Sequence, residues 1–314
     1  MPCIYFCYYT LRIPSKHFNS MSPIGFIGIG IMGKGMLKNL VAKVDSHYVI
    51  WNRSRAVCEE MVVLFPSKVT IASTPAEVVR QCDVTYSMLS TLEASAAVYD
   101  EPVNGVIAGV TAGKLVVDCA TLSPERMIDQ AQRISAKGGR FLEAPVSGSK
   151  APAETGTLIF LCGGEPEVYE SQAACLDAMG KAKFLMGPVG QGTKLKLVVN
   201  MIMGSMMGAF AEGMTLAKGA DLPLETLLQV LDLGAMSNPM FKGKGPNMIS
   251  GNFAPNFPLK HQQKDMKLAL CLAEQSGVTL PTTEAANAAY LKAMEEGKGD
   301  EDFCAVISAY PTKK

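Results

Sequence analysis

A lysine and an asparagine four positions apart can act on a carbonyl group, because an ammonium donates a proton and an amide holds an oxygen in place. Lys196 and Asn200 stand in that relation in Gly187-Pro-Val-Gly-Gln-Gly-Thr-Lys-Leu-Lys-Leu-Val-Val-Asn200. The chain runs on as an apolar, methionine-rich stretch to Glu212, so a glycine-rich loop feeds one long predicted helix. Steps of four stack on one helical face and pick out Lys196, Asn200, Gly204, Gly208 and Glu212. Lys194 lies about 200° round the helix from Lys196 and faces elsewhere. The other faces, with Leu195, Val198, Val199, Ile202 and Met206, ask for burial. Taken alone, a solvated lysine, a capping asparagine and glycines for close helix packing fit this pattern equally well.

The rest of the chain supplies the partners that such chemistry needs. Ile24-Gly-Phe-Ile-Gly-Ile-Gly-Ile-Met-Gly33 is a short apolar strand followed at once by GxGxxG, with Gly28, Gly30 and Gly33 at the spaced positions. A helical pattern over 32–43 and a second strand over 48–51 complete the strand, turn, helix, strand context of a dinucleotide site. Gly28 permits the tight turn, Gly30 lets backbone approach a pyrophosphate, and Gly33 lets helix and strand pack closely. The helix start, through Ile31, Met32 and Gly33, offers unpaired amides and a positive dipole end to the phosphates. An NAD site places an acid at the end of the second strand, to bond the ribose 2′-hydroxyl. Here that place holds Asn52-Arg53-Ser54-Arg55. Arg53 suits a 2′-phosphate and Ser54 can donate to it, so the expected cofactor is NADPH.

Strands and helices go on alternating. The strand 84–90 ends in Met88-Leu89-Ser90 at the carboxyl edge, where such sheets bind ligands. Another strand, 115–121, brings Thr121 to the same edge, and Ser123-Pro124 starts a helix. The segment 140–149 ends its strand in a serine/glycine turn, Ser147-Gly148-Ser149, whose hydroxyl and amides suit a carboxylate. Strands over 157–162 and 182–186 flank a helix over 166–179. Residues 22–187 therefore read as one α/β, Rossmann-type NADP-binding domain. From 188 to 314 helical patterns take over: the central helix, then 224–233, 261–276 and 282–296, with a Gly, Pro and Asn-rich connection over 243–258. An all-α C-terminal domain is expected, with the site in the cleft between the two domains.

Composition narrows the partners. Lysine plus arginine and aspartate plus glutamate number 29 each, so no basic surplus points to nucleic acid. Nine scattered cysteines, without a CxxC pair or a histidine cluster, suggest neither a metal site nor a disulfide framework and fit a reducing compartment. The apolar run 197–210 is interrupted by Asn200, and no membrane span is expected. Residues 1–21 contain no acid. They read either as a disordered extension before a working start at Met21 or as a weak presequence, and the expected compartment is cytoplasmic, or organellar in the second case.

Gly28-x-Gly30-x-x-Gly33, Pro145-Val-Ser147-Gly148, Gly190-x-Gly192-x-x-x-Lys196-x-x-x-Asn200 and Lys264-Asp265 occur in that order, and with them the chain resembles the β-hydroxyacid dehydrogenases. Within that family the stretches 200–207, 231–246 and 257–266 are similar to glyoxylate/succinic semialdehyde reductases of plant type. The resemblance covers about 22–310. It implies Lys196 as catalytic residue and general acid, with Asn200 orienting the substrate beside it. Ser147 and Gly148 are implied to hold the substrate carboxylate, and Thr121 to touch nicotinamide and substrate. Phe257 and Asp265 match positions that close and order the site, and Lys264 matches a cofactor-contacting lysine. Homodimers or homotetramers and reduction of small aldehyde acids are implied too: glyoxylate to glycolate, and succinic semialdehyde to 4-hydroxybutyrate. The alternatives are a 3-hydroxyisobutyrate or tartronate semialdehyde dehydrogenase, and a non-catalytic NADP-binding scaffold.

Overall fold

Short apolar runs bounded by turn residues form the strands, because a parallel sheet covered on both faces asks for little else. The computed structural model describes residues 22–311, and the expectations placed on 1–21 lie outside the described residues. The strands are β1 Ile24–Ile27, β2 Tyr48–Trp51, β3 Val69–Ile71, β4 Val84–Ser87, β5 Leu115–Asp118, β6 Arg140–Glu143, β7 Val146–Ser147, β8 Leu158–Gly164 and β9 Gly180–Leu185. Six of them run parallel in the order β3-β2-β1-β4-β5-β6. Beyond β6 the sheet turns antiparallel through β8, which pairs with β7 on one stretch and runs parallel to β9.

Helices cover both faces: α1 Ile31–Lys43, α2 Arg55–Leu64, α3 Pro75–Gln81, α4 Leu92–Tyr99, α5 Val106–Gly109, α6 Pro124–Ser135, α7 Lys150–Thr155, α8 Pro166–Ser171 and α9 Ala173–Met179. Thr74, Thr91 and Ser123 cap α3, α4 and α6 by accepting from a backbone amide three residues on. One core, with Phe26, Leu37, Tyr86, Leu142 and Phe160, fills the α1/α9 side. A second, with Ile27, Val79, Val116, Leu122 and Ile134, fills the other.

The helical domain follows as α10 Gln191–Gly219, α11 Leu224–Leu233, α12 Pro239–Ser250, α13 Leu259–Gln275, α14 Pro281–Glu295 and a 3₁₀ segment Phe303–Ala309. Its core holds Met207, Phe210, Met214, Met266, Tyr290 and Phe303. The Rossmann-type α/β unit followed by an all-helical domain agrees with the expectation from alternation and its loss. By length and hydropathy α10 would suffice to cross a bilayer, although Asn200 argues against that in the sequence. In this fold it is the helix on which α13 and α14 pack.

Three local expectations are corrected. The connection 243–258 is half helix: Asn238 caps α12, Pro239 opens it, and Gly245 leaves room for Leu228, which a Cβ there would meet at 2.5 Å. A glycine that reads as a loop signal serves α11–α12 packing. The helix over 166–179 is broken at Gln172 into α8 and α9. Its buried side chain accepts from the hydroxyl of Tyr86 at 2.8 Å. On α10 the buried face is the one with Lys196, Asn200, Gly204 and Gly208, while Val198, Ile202 and Met206 are exposed. Glu212 is exposed too. A Cβ on Gly204 would lie 2.4 Å from Nε2 of Gln262 and 2.6 Å from Sδ of Met266. Gly204 therefore lets α13 approach the polar stripe, which is buried together with Leu197, Met207, Phe210 and Met214, while three apolar side chains are left turned outward.

Close backbone approach also fixes the first turn of the sheet. A Cβ at Gly33 would stand 2.0 Å from the carbonyl oxygen of Gly28, and neither atom belongs to a flexible side chain. Gly33→Ala is expected to cost about 1–3 kcal/mol and to lower the thermal unfolding midpoint by several degrees. A midpoint equal to that of the unsubstituted protein would contradict this packing.

Candidate active site

Four segments lie at the carboxyl edge of the sheet: the glycine turn after β1, the loops after β4 and β5, and the Ser147 segment beyond β6. The helical domain closes on them through α10 and α13. Gly28 holds a left-handed φ of 91°, and a Cβ there would strike the carbonyl of Met88 at 2.4 Å. Gly30 differs. Its φ is −80°, and a Cβ would meet nothing within 4 Å. Nothing in the protein itself requires a glycine at this position; a pyrophosphate brought against the backbone does. The first turn of α1 carries no acidic residue, and Gly30 as N-cap offers no side chain to its amides. Those amides are the donors an anion needs, so the residues present fit a dinucleotide.

Around that turn, Asn52 accepts from the Ile29 amide at 3.0 Å and donates to the Ser54 carbonyl at 3.0 Å. Its side chain thus joins the end of β2 to the glycine loop. Arg53 and Ser54 are exposed beside it, and Arg53 has no ion pair among the described residues. Ile31 is exposed and Met32 half-buried at the helix start. After β4, Leu89 packs behind Gly28, with Met88 half-buried and Ser90 exposed. Thr121 is half-buried after β5.

The helical side of the cleft is a chain of polar contacts. Nζ of Lys196 donates to Oδ1 of Asn200 at 2.6 Å, and Nδ2 of Asn200 donates to Oδ2 of Asp265 at 2.6 Å. Oδ1 of Asp265 lies 3.0 Å from Nζ of Lys264, a contact of opposite charges without hydrogen-bond geometry. Lys264 in turn donates to the carbonyl of Thr121, which ties α13 to the Rossmann-type domain. Lys196 is 5% exposed, and Asn200 and Asp265 are 2% exposed. Burial pushes the Lys196 ammonium down to about 8; the Asp265 carboxylate resists the shift and Lys264 adds to it. The one-turn spacing of Lys196 and Asn200 is what the sequence predicts, whereas their joint burial against Asp265 depends on α13.

Ser147 sits in the two-residue strand β7 rather than in a turn, because β8 pairs with it across Ile159. It is half-buried, and Gly148 beside it is exposed. Phe257 is half-buried, edge-on to Phe303 at 5.8 Å and 6.4 Å from His261. Burial first, and then Lys264, pushes His261 down to about 4, so its ring is neutral at pH 7.

Two positioning groups have no local signal in the sequence. Gln262, fully buried, donates to the carbonyl of Asn200 at 2.9 Å and holds α13 to α10. Asp302, also fully buried, accepts from the amides of Asn256 and Phe257 at 3.0 and 3.3 Å and from Nζ of Lys244 at 2.7 Å. It clamps the segment that carries Phe257. The same segment reaches the other domain, where the Lys150 amide donates to the Asn256 carbonyl at 3.4 Å.

Residues 23–187 match the family described as the NAD binding domain of 6-phosphogluconate dehydrogenase. Residues 190–310 match the one described as NAD-binding of NADP-dependent 3-hydroxyisobutyrate dehydrogenase. The chain is 48% identical over 287 residues to glyoxylate/succinic semialdehyde reductase 1 of Arabidopsis thaliana, spanning 91% of this chain and 97% of that protein. It is 39% identical over 287 residues to the cytokine-like nuclear factor N-PAC of Xenopus tropicalis, 91% of this chain but 53% of that protein. The structure of 3-hydroxyisobutyrate dehydrogenase from Mycobacterium tuberculosis with L-serine superposes with a TM-score of 0.79 at 26% identity, over 92% of this chain and 98% of that one.

Removing one partner of a buried ion pair leaves the other charge uncompensated. Lys244→Met is therefore expected to cost about 3 kcal/mol in denaturant unfolding. Unfolding free energy equal to that of the unsubstituted protein would show that Asp302 does not need this partner.

Proposed function

The chain belongs to the β-hydroxyacid dehydrogenase family, and we propose that it reduces short aldehyde acids with NADPH. Glyoxylate gives glycolate in this reading, and succinic semialdehyde gives 4-hydroxybutyrate. One observation carries it: an ammonium buried at the mouth of a dinucleotide cleft and held on an amide oxygen at 2.6 Å. A scaffold has no use for such a group, since burying a charge lowers stability. The basic turn at Asn52, Arg53 and Ser54, without an acid, speaks for NADPH and against an NAD-linked 3-hydroxyisobutyrate or tartronate semialdehyde dehydrogenase.

The reduced nicotinamide supplies the hydride to the carbonyl carbon. Lys196 stabilises the negative charge that grows on the carbonyl oxygen and donates its proton there, so the product is the hydroxyl. The neutral amine then takes a proton back from water. A lysine of ordinary pKa, about 10.4, is a poorer match to this task than one lowered to about 8, which is still mostly protonated at pH 7. Asn200 keeps the amine aimed, and Asp265 behind it offsets part of the desolvation. The Ser147 hydroxyl and the amides about Gly148 hold the substrate carboxylate. Thr121 and Lys264 lie where nicotinamide and substrate meet, and Phe257 forms the apolar wall that keeps water out. Assembly as a homodimer or homotetramer belongs to the same proposal. It is supported by the outward apolar side chains of α10 and by α11, which has no fully buried residue and exposes Val230 and Leu233.

Lys196→Ala should lower turnover on glyoxylate by roughly 10²–10⁴-fold while NADPH binding, followed by fluorescence, stays near normal; wild-type turnover in the variant would refute the assignment. Reduction needs the protonated amine. Its rate should therefore fall as pH rises through about 8, and oxidation of the hydroxy acid should rise over the same interval. A reductive rate flat from pH 7 to 10 would argue against Lys196 as the acid. Arg53→Glu should shift the NADPH/NADH preference by roughly 10–100-fold, the worth of a charge-assisted hydrogen bond; unchanged selectivity in paired kinetics would count against the cofactor assignment.

A further inference from the structure

The doublet Gly190-x-Gly192 just ahead of the central helix has no part in the chemistry above, yet the fold spends both glycines on one contact. Gly190 adopts φ 100°, and a Cβ on Gly192 would stand 2.2 Å from the carbonyl oxygen of Leu161. With neither side chain in the way, the amides of Gly190 and Gly192 donate to Oε1 of Glu143 at 2.7 and 2.8 Å. The hydroxyl of Thr193 donates to Oε2 at 2.7 Å. Glu143 ends β6 and is fully buried. Even its neighbour Gly163 must lack a side chain, because a Cβ there would fall 2.1 Å from Oε1. Burial pushes this carboxyl above the usual carboxylate range, against the pull of Thr193 and the amides of Gly192 and Gly190. Its place at the start of a 29-residue helix favours an anion, since the unpaired amides and the helix dipole both point there.

Glu143 touches neither the cleft nor Lys196, but it is tied to both ends of the reaction. Four residues on, through the buried Ala144, Pro145 and Val146, the same chain reaches Ser147. Lys196 lies three residues beyond Thr193, less than one helical turn. We infer that Glu143 is a positioning residue that sets the separation between the carboxylate anchor at Ser147 and the proton donor at Lys196, and thereby the length of aldehyde acid the site accepts. This rests on the reading that the substrate spans those two groups. A displacement of 1 Å at a reacting centre can cost on the order of 10²-fold, so a carboxylate that holds the acid's helix by three bonds is a sensitive control.

The test compares the full-length wild type with Glu143→Asp, Glu143→Gln and the milder Thr193→Val. Steady-state kinetics with glyoxylate and succinic semialdehyde would be measured alongside hydrogen exchange over 188–199. Glu143→Asp keeps the charge but is one methylene short. It should lower kcat by roughly 10–100-fold and shift the ratio of kcat/KM between the two aldehydes by at least about fivefold, with KM for NADPH within about twofold. The amides of the helix start should exchange faster. Glu143→Gln, which can still accept from the amides, should recover most of the lost turnover and of the wild-type ratio. Thr193→Val should shift the ratio in the same sense as the aspartate, by less. If the variants lose thermal stability while kcat and the aldehyde ratio stay at wild-type values, Glu143 is structural only and the inference is overturned. If Glu143→Asp does not fold, the Thr193→Val ratio decides alone. A wild type that reduces neither aldehyde would sink the preceding functional reading instead. Exchange at the helix start, accelerated or unchanged in Glu143→Asp, would then still support or overturn the anchoring of the helix by Glu143.

Discussion

An ammonium taken out of water loses several kcal/mol of hydration even after the surroundings relax, and the burial of Lys196 is the cost around which the helical domain is arranged. Asn200 gives the ammonium an acceptor, but an amide brings no charge. Asp265 brings the charge, one group further back, and this indirect placement has a consequence. A carboxylate in direct contact would have restored the lysine to its ordinary range; a carboxylate behind an asparagine leaves it lowered to about 8. Gln262 and the bare Cα of Gly204 let α13 come close enough for Asp265 to reach. The polar stripe of α10 is therefore buried along with apolar Leu197, Met207, Phe210 and Met214, while Val198, Ile202 and Met206 are left outside.

The other half of the cleft is governed by backbone approaching backbone. Gly28 and Gly33 are glycines because the sheet and α1 leave no room for a Cβ, so they belong to the fold. Gly30, with open space before it and an ordinary φ, is not required by the fold. Asn52 links that loop to the turn bearing Arg53, accepting from the Ile29 amide and donating to the Ser54 carbonyl. Lys264 and Lys150 then join the two domains across the cleft by side-chain and main-chain bonds. Those crossings, together with the hydrogen bonds of Glu143 to the start of α10, fix the helix that carries Lys196 against the sheet.

Much of this was legible in the residues. GxGxxG between two apolar strands names a dinucleotide turn, and the end of strand–helix alternation after Gly187 marks the change of architecture. The four-residue step from Lys196 to Asn200 puts the pair on one face with no further information needed. Glycine is where such reading fails. Gly243 and Gly245 resemble loop punctuation, yet α12 runs through both, because Asn238 caps it and Leu228 occupies the space that Gly245 vacates. Ser147 also reads as a turn residue until β8 comes back to pair with it.

By itself the sequence determined the order of elements, the chemistry of the cofactor turn and the shared helical face of Lys196 and Asn200, since each depends on residues within a few positions of one another. Only the tertiary structure decided which side of α10 is buried, that Asp265 stands behind Asn200, that Glu143 holds the start of α10 and that Asp302 holds the segment at Asn256. These contacts join residues 46 to 65 positions apart. No local pattern encodes them, because desolvation and charge compensation act between whatever groups the packed chain brings into contact.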